Sequence, residues 1–307
     1  MKSFSALAKE ELYKGENETL CCDAAEFVGM LLFGCNISAK EIRLTTESPD
    51  VLGRFEALCR KAGFDAEISC SPEGSGRYAA QMDNAEQIKN IFVKYGLTDT
   101  ETGVIRYRIM PELLKEDCCR RAFIKGAFMG GGSMVDPNKN YNIEIVTPYM
   151  GLSRDFVAVL LEAGFDFKLI VRKSKYVLYS KNSEMIEDFL SYIGAYRAQM
   201  ELINIKIEKG IRNDFNRSVN SETANLDKAI AAAVIQIQAI ETLDKEIGLD
   251  NLPEELLEVA KLRLKYKSMS LAEIGKHLNP TLGKSGVNHR FKRIISMAER
   301  IGEMSEE

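Results

Sequence analysis

The chain has 307 residues, 45% of them hydrophobic and 28% charged, the mixture of a globular protein with room for about two or three domains. That composition excludes a mainly disordered chain, a collagen-like repeat and a small disulfide scaffold, and no stretch approaches the run of about 18 apolar residues that a membrane span needs. The formal net charge of −4 is unevenly spread: residues 259–300 carry ten Lys/Arg against Glu273 and Glu299, whereas 241–258 carry seven acids against Lys245. A basic segment of this kind points to a polyanion partner at the C-terminal end.

The opening stretch, Met1-Lys2-Ser3-Phe4-Ser5-Ala6-Leu7-Ala8-Lys9-Glu10-Glu11, lacks the apolar core of a signal peptide and has early acids that a transit peptide avoids, so a cytoplasmic protein is expected. Seven cysteines follow along the chain: Cys21, Cys22, Cys35, Cys59, Cys70, Cys118 and Cys119. Their number is odd, there is no C-x-x-C, and the histidines are His277 and His289. Spacing along the chain therefore offers no zinc pattern, and buried free thiols in a reducing compartment are expected, with no metal and no cofactor.

Residues 1–195 read as a duplication. Cys21-Cys22 recurs as Cys118-Cys119, an offset of 97, and Ala25–Gly34 matches Ala122–Gly131. Then Ile42–Thr46 matches Ile143–Thr147, and Phe55 through Ala62-Gly63-Phe64-Asp65 matches Phe156 through Ala163-Gly164-Phe165-Asp166. Asn84–Ile88 matches Asn182–Ile186, and Gly96 and Gly194 close the two copies. Five segments in one order define repeats at about 20–97 and 117–195. Alternation in Ile143–Thr147 and Lys168–Arg172 is strand-like; the spacings Phe55, Leu58, Ala62 and Phe156, Val159, Ala163 are helical, with Gly63 and Gly164 where a helix C-terminal glycine belongs. Each copy is expected to run α-β-α-β-β-α, and the two to form an α+β domain about a pseudo-two-fold axis.

Each copy opens with an apolar helix containing glycines: Gly29 and Gly34, then Gly126, Gly130, Gly131 and Gly132. Glycine is about 1 kcal/mol worse than alanine inside a helix, so the clusters imply close backbone approach between two helices. At this point the chain resembles the paired LAGLIDADG helices of monomeric homing endonucleases, in which each helix ends in an Asp that holds the divalent metal. The matching positions here are Gly34 and Gly131. Without carboxylates nothing is left to hold Mg²⁺ beside a scissile phosphate, so no catalytic residue is expected; Asp136, in Asp136-Pro137-Asn138-Lys139-Asn140, reads as a turn residue. The run from Gly126 to Gly131-Gly132-Ser133 has phosphate-loop spacing but no lysine, and Gly283-Lys284-Ser285 has Leu278 in place of the first glycine, so neither is a nucleotide site. The region 1–195 carries 24 Lys/Arg and 28 Asp/Glu, unlike the basic saddle that a DNA-cleaving member of that fold requires.

Residues 196–225 change to Asn, Ser and Arg, and are expected to be a polar connector with Asn225 as the N-cap of a helix starting at Leu226. Within it Arg212 and Arg217 are candidate phosphate contacts. Residues 226–307 are expected to be an all-α DNA-binding domain. Ala229, Ala233, Ile237, Ile240 and Leu243 give a helical stripe ended by Gly248; a second helix begins at Pro253; and Ser270 with Glu273 forms a capping box. After Asn279-Pro280-Thr281-Leu282-Gly283, a last helix over about 285–300 buries Val287, Phe291, Ile294, Ile295 and Ala298. This is a helix-turn-helix over about 270–300, with a turn longer than the usual three or four residues. The candidate DNA-binding residues are Ser270, Lys276, Lys284, Ser285, Asn288, His289, Arg290, Lys292 and Arg293, with Asn288 and Arg290 reading bases and Lys292 and Arg293 on phosphates. A basic face that is merely solvated, or shielded by the acidic segment before it, is the alternative.

A double LAGLIDADG-like repeat without its acids, followed by an Asn/Arg connector and a helix-turn-helix, resembles the WhiA family of bacterial proteins over essentially the whole chain. The residues that carry this resemblance are Arg121-Ala122-Phe123-Ile124-Lys125-Gly126-Ala127-Phe128 with Gly131-Gly132-Ser133, Asn216-Arg217 through Asn220 with Ala224-Asn225, and Lys284-Ser285-Gly286-Val287-Asn288-His289-Arg290. The resemblance implies a nuclease-inactive, sequence-specific binder of double-stranded DNA, nucleoid-associated, that acts in transcription regulation, cell division and chromosome segregation, and in sporulation in some lineages. A second regulatory protein held by the N-terminal domain is a further expected partner. Competing with this are a working nuclease or maturase, and a protein platform whose DNA contact is incidental.

Overall fold

The structure is a computed structural model that describes residues 3–70, 76–99 and 103–304. It falls into two compact units, Met1–Lys209 and Gly210–Glu307. In the first, α1 (Phe4–Lys14) precedes the two repeats. Repeat one comprises α2 (Leu20–Gly34), β1 (Cys35–Ile37), β2 (Ile42–Thr46), α3 (Pro49–Ala62), β3 (Glu67–Cys70), β4 (Tyr78–Met82) and α4 (Ala85–Lys94). Repeat two comprises α5 (Asp117–Gly131), β5 (Gly132–Met134), β6 (Ile143–Thr147), α6 (Met150–Glu162), β7 (Lys168–Arg172), β8 (Lys175–Ser180) and α7 (Ser183–Ile193).

The duplication is reproduced in detail. Two antiparallel sheets have the equivalent orders β1-β2-β4-β3 and β5-β6-β8-β7. Asn84 accepts from the amides of Glu86 and Gln87 at the start of α4, and Asn182 from those of Glu184 and Met185 at the start of α7, so the same residue type caps the same helix in both copies. Gly63 and Gly164 have φ of +82° and +90° at the ends of α3 and α6, a conformation that a side chain disfavours. Each copy has one strand more than expected, running α-β-β-α-β-β-α. The additional β1 and β5 are three residues each. They are too short to show alternation and exist by pairing with β2 and β6, Cys35 opposite Leu44 and Gly132 opposite Ile145.

The repeats meet through α2 and α5. A Cβ on Gly29 would lie 2.4 Å from the Phe123 carbonyl oxygen, and one on Gly126 would lie 2.1 Å from that of Glu26. Gly34 and Gly130 face each other in the same way, an added Cβ on either coming within 2.8 Å of the other's backbone. With the backbones this close, aromatic side chains from both copies share one core: Phe33 of the first packs against Phe123 and Phe156 of the second, with ring centroids 6.3 and 4.6 Å apart. Beside this contact Glu26 is fully buried and accepts from Arg54 Nε and Nη2 at 2.7 and 2.6 Å, from Asn17 Nδ2 at 2.7 Å, and lies 3.2 Å from Lys125 Nζ. A carboxylate so enclosed requires all of these donors.

The connector over 196–225 does not exist as a linker. One continuous helix, α8 (Tyr196–Ile247), covers it and the helix expected from Leu226, so Asn225 is a mid-helix residue and not an N-cap. Two features start α8 inside the first unit: Ala198 and Leu202 are buried, and the Glu11 carboxylate accepts from the amides of Arg197 and Ala198 at 2.9–3.3 Å. Its Asn, Ser and Arg side chains from 212 to 225 are exposed. Ile211, Phe215 and Val219 are exposed beside them; a segment rich in Asn, Ser and Arg looks like a linker in composition, but the sequence offers no proline there to stop the helix.

The second unit packs the end of α8 with α9 (Glu254–Lys265), α10 (Leu271–Lys276) and α11 (Lys284–Met304). The boundary between compact units therefore falls inside α8, at 209/210 and not at 195 or 225.

Two alanine substitutions test these assignments. Gly126→Ala should lower the urea midpoint, the added methyl destabilising by about 1–3 kcal/mol or more, because it meets backbone. Gly210→Ala, in α8 with nothing within 4 Å of the added Cβ, should raise the midpoint, stabilising by up to about 1 kcal/mol. No gain at Gly210 would contradict a helix there.

Candidate nucleic-acid interface

The second unit is built around Ile240, Leu243, Leu256, Val259, Ala260, Ile274, Leu278, Val287, Phe291 and Ile294, all buried. The capping box forms: the Ser270 hydroxyl accepts from the Glu273 amide at 3.3 Å, and the Glu273 carboxylate accepts from the Ser270 amide at 2.9 Å. These bonds hold the Glu273 carboxyl below its ordinary pKa. The long turn after α10 folds back on it, with the Leu282 amide donating to the Gly275 carbonyl at 2.9 Å. Gly275 permits this return, since a Cβ there would lie 2.0 Å from the Leu282 carbonyl oxygen. The turn therefore reaches the α10–α11 junction through one close backbone contact.

On α11, residues 287, 291, 294 and 298 face the core. By helical periodicity 285, 289, 292 and 296 share the opposite side. Lys284, Ser285, His289 and Lys292 are exposed, and so is Lys276 on α10; Asn288 is half-buried on the flank. Lys276, Lys284 and Lys292 have no ion pair among the described residues. Lys284 and Ser285 also occupy the first turn of α11, where backbone amides favour an anion.

Arg290 and Arg293 are placed differently from the other candidates. Both are turned to Glu255 on α9: Arg290 Nη1 donates to the Glu255 carbonyl at 3.2 Å, its Nε lies 4.0 Å from the carboxylate, and Arg293 Nη1 pairs with that carboxylate directly. The acidic stretch before the basic one thus neutralises part of it within the unit. Ser270 is likewise engaged as a cap. Arg212 and Arg217 sit exposed on α8, with Asp214 4.0 Å from Arg217.

Arg263, one of the ten basic residues of 259–300, is buried and structural. Its Nε donates to the Gln236 amide oxygen at 3.0 Å, its Nη1 to the carbonyls of Lys267 and Met269 at 3.3 and 2.5 Å, and its guanidinium lies 5.3 Å from the Phe291 ring. Burial lowers its pKa. Neither Arg263 nor Glu255 was legible from charge counting, which registers sign and not direction; the apolar spacing Leu256, Val259, Ala260, Arg263 is the signal that places Arg263 on the inner face.

At the end of α2 and α5 where the LAGLIDADG resemblance implies a divalent metal, the residues do not fit one. The surroundings of Gly34 are Gly130 and Leu44, and those of Gly131 are the carbonyls of Phe33 and Val146 with the Phe33 side chain. No carboxylate is offered by either position. Asp136 lies beyond β5 in an exposed turn, its carboxylate accepting from the Asn138 amide and side chain, and those bonds hold its pKa down.

Arg263→Ala should destabilise the second unit by about 3 kcal/mol or more by leaving Gln236 and two carbonyls without their donor. Gly275→Ala should destabilise it by about 1–3 kcal/mol through the Leu282 clash. Thermal unfolding followed by circular dichroism measures both, and unchanged melting would contradict the assigned packing.

The chain matches family models for the WhiA LAGLIDADG-like domain over residues 120–212 and for the WhiA C-terminal HTH domain over 215–298. It is 38% identical over 309 residues to the probable cell division protein WhiA of Ruminiclostridium cellulolyticum, covering 97% of this chain and 98% of that protein. It is 38% identical over 305 residues to the protein of the same name from Carboxydothermus hydrogenoformans, with the same coverage. Among solved structures it is similar to full-length DUF199/WhiA from Thermatoga maritima, with TM-score 0.61, 28% identity and coverage of 97% of this chain and 99% of that one. No helix among the described residues is long and apolar enough to cross a membrane. With a duplicated α+β unit, a helix-turn-helix unit and relatives matched end to end, the chain belongs to the WhiA family.

Proposed function

We propose that the protein is a sequence-specific regulator that binds double-stranded DNA through its helix-turn-helix and carries no nuclease activity. The observation that carries this reading is the ridge of Lys284, Ser285, His289 and Lys292 along the outward side of α11, beginning at a helix N-terminus. A helix of this width fits the major groove. Its amine and hydroxyl groups suit phosphates at the groove edge, and Asn288 on the flank has the amide that reads adenine. The family name of the curated relatives supports cell division as the regulated process, and we extend this to transcription regulation and chromosome segregation, with sporulation in some lineages.

Glu255 then acts as an internal competitor for DNA phosphate. While Arg290 and Arg293 stay paired with it, the groove-facing charge is supplied by lysines, which attract any sequence. Opening of the Arg293–Glu255 pair on a matching site would release two further cations to the backbone. This assigns Arg290 to holding α9 against α11 in the free protein, in place of the base-reading role that its position in the basic run suggests.

The absence of nuclease chemistry is supported by glycine at both positions where the fold would present acids. Plasmid incubated with the protein and Mg²⁺ should remain supercoiled.

DNA binding by fluorescence anisotropy across a salt series tests the interface. Lys284→Ala with Lys292→Ala should weaken binding to all sequences and reduce the salt slope by about two, roughly 0.9 for each phosphate that is no longer neutralised. Glu255→Gln should tighten binding and steepen the slope by about one to two. Asn288→Ala should instead erode discrimination between sites by about 1–3 kcal/mol. Unchanged affinity and slope in the double lysine variant would overturn the proposed face.

A further inference from the structure

At the end of α2 and α5 remote from Gly34 and Gly131, the same helix pairing gathers thiols. Cys21 and Cys22 are in the first turn of α2, and Cys118 and Cys119 in the first turn of α5. They are repeat equivalents, so the pseudo-two-fold axis that brings Gly29 onto Gly126 also brings these two pairs together. The Sγ atoms of Cys21, Cys22 and Cys119 all lie within 4.8 Å of one another, and Cys118 is the chain neighbour of Cys119 in the same turn. Thr19 Oγ1 sits 3.0 Å from Cys21 Sγ and 3.1 Å from Cys22 Sγ. Cys22 and Cys119 are buried, Cys118 is half-buried and Cys21 is exposed. Cys22 and Cys118 line a cavity of about 220 Å³ whose wall also includes Arg121 and Lys125.

We propose that Cys21, Cys22 and Cys119, with Cys118 as the fourth ligand, form a structural site for a thiophilic d¹⁰ cation, Zn²⁺ foremost, that clasps the N-terminal ends of the two repeats. At a Zn–S distance of about 2.3 Å, tetrahedral thiolates stand roughly 3.8 Å apart, so the separations among Cys21, Cys22 and Cys119 close by small side-chain rotations, while Cys118, outside that group, turns in from the cavity it lines to complete the set. An all-sulfur set selects soft cations and rejects Mg²⁺ and Ca²⁺, which separates this site in chemistry as well as position from the metal site of the endonuclease fold. The charge of the thiolates is met by the cation, by two helix N-termini and by Arg121 at the cavity wall.

Binding exchanges protons for metal: four thiols and one Zn²⁺ give one tetrathiolate complex and four protons, with no change of oxidation state. Cys21, the exposed member of the three, is the entry ligand.

The full chain, reduced and stripped of metal under anaerobic conditions, is titrated with Co²⁺ as a spectroscopic probe and with Zn²⁺ against a chromophoric chelator. One ion per chain is expected, with sulfur-to-cobalt charge-transfer bands and tetrahedral d–d bands that Zn²⁺ abolishes and excess Mg²⁺ does not, and with proton release in weak buffer. Cys21→Ser and Cys119→Ser should each lower affinity by more than about tenfold, while Cys59→Ala, in α3, should leave it unchanged. Because Cys21 is exposed, its variant keeps the fold and reports on the site even if Cys119→Ser does not. Failure of the wild-type chain to give a stoichiometric cobalt spectrum, retained affinity in the Cys21→Ser variant, or a Cys21–Cys119 disulfide in a protein that ignores Zn²⁺ would each overturn the proposal.

Discussion

Two helices reach backbone contact only where side chains are missing from both, and the first unit rests on that condition at Gly29 against Gly126 and Gly34 against Gly130. Replacing any of these by a larger residue pushes α2 and α5 apart, because the obstructing atoms are carbonyl oxygens and backbone carbons that have no rotamer to change. The close approach lets Phe33 enter the core of the other repeat and encloses Glu26 among Arg54, Asn17 and Lys125. One packing constraint thereby sets both the apolar core and the buried polar network at its side.

The same axis has opposite consequences at its two ends. Where homing endonucleases of this fold present acids, glycine and backbone fill the space, so the geometry that would hold two carboxylates around a hydrated metal has no ligands to use. Where the chain enters the helices, symmetry doubles a vicinal cysteine pair into a cluster. A two-fold arrangement amplifies whatever residue type sits near it, and here it amplifies absence of charge at one end and sulfur at the other.

In the second unit electrostatics is local in a way that net charge hides. The acidic and basic segments are neighbours in the chain and, through α9 and α11, neighbours in space, so Glu255 takes up Arg290 and Arg293. Arg263 disappears into the core as a donor to carbonyls. The cations left at the N-terminal end of the outward side of α11 are Lys284 and Lys292, compact charges suited to phosphate, with the amide of Asn288 beside them as the group able to discriminate bases.

From the sequence alone follow the duplication and its period, the Asn84 and Asn182 caps, the Ser270–Glu273 capping box, the glycine pairing of α2 with α5, and a helix-turn-helix at the basic end. These are encoded by residues close in the chain, through periodicity and through hydrogen bonds that span three or four positions. Tertiary structure alone decided the short strands β1 and β5, the continuity of α8 across Asn225, the direction of Arg290 and Arg293, and the meeting of Cys21 and Cys22 with Cys119. Each of those depends on a neighbour far away in sequence: a pairing strand, the Glu11 cap at the start of α8, a carboxylate on α9, or the repeat copy 97 residues along. Composition counts what a segment contains, whereas long-range packing settles which of its groups face outward and which are already bound.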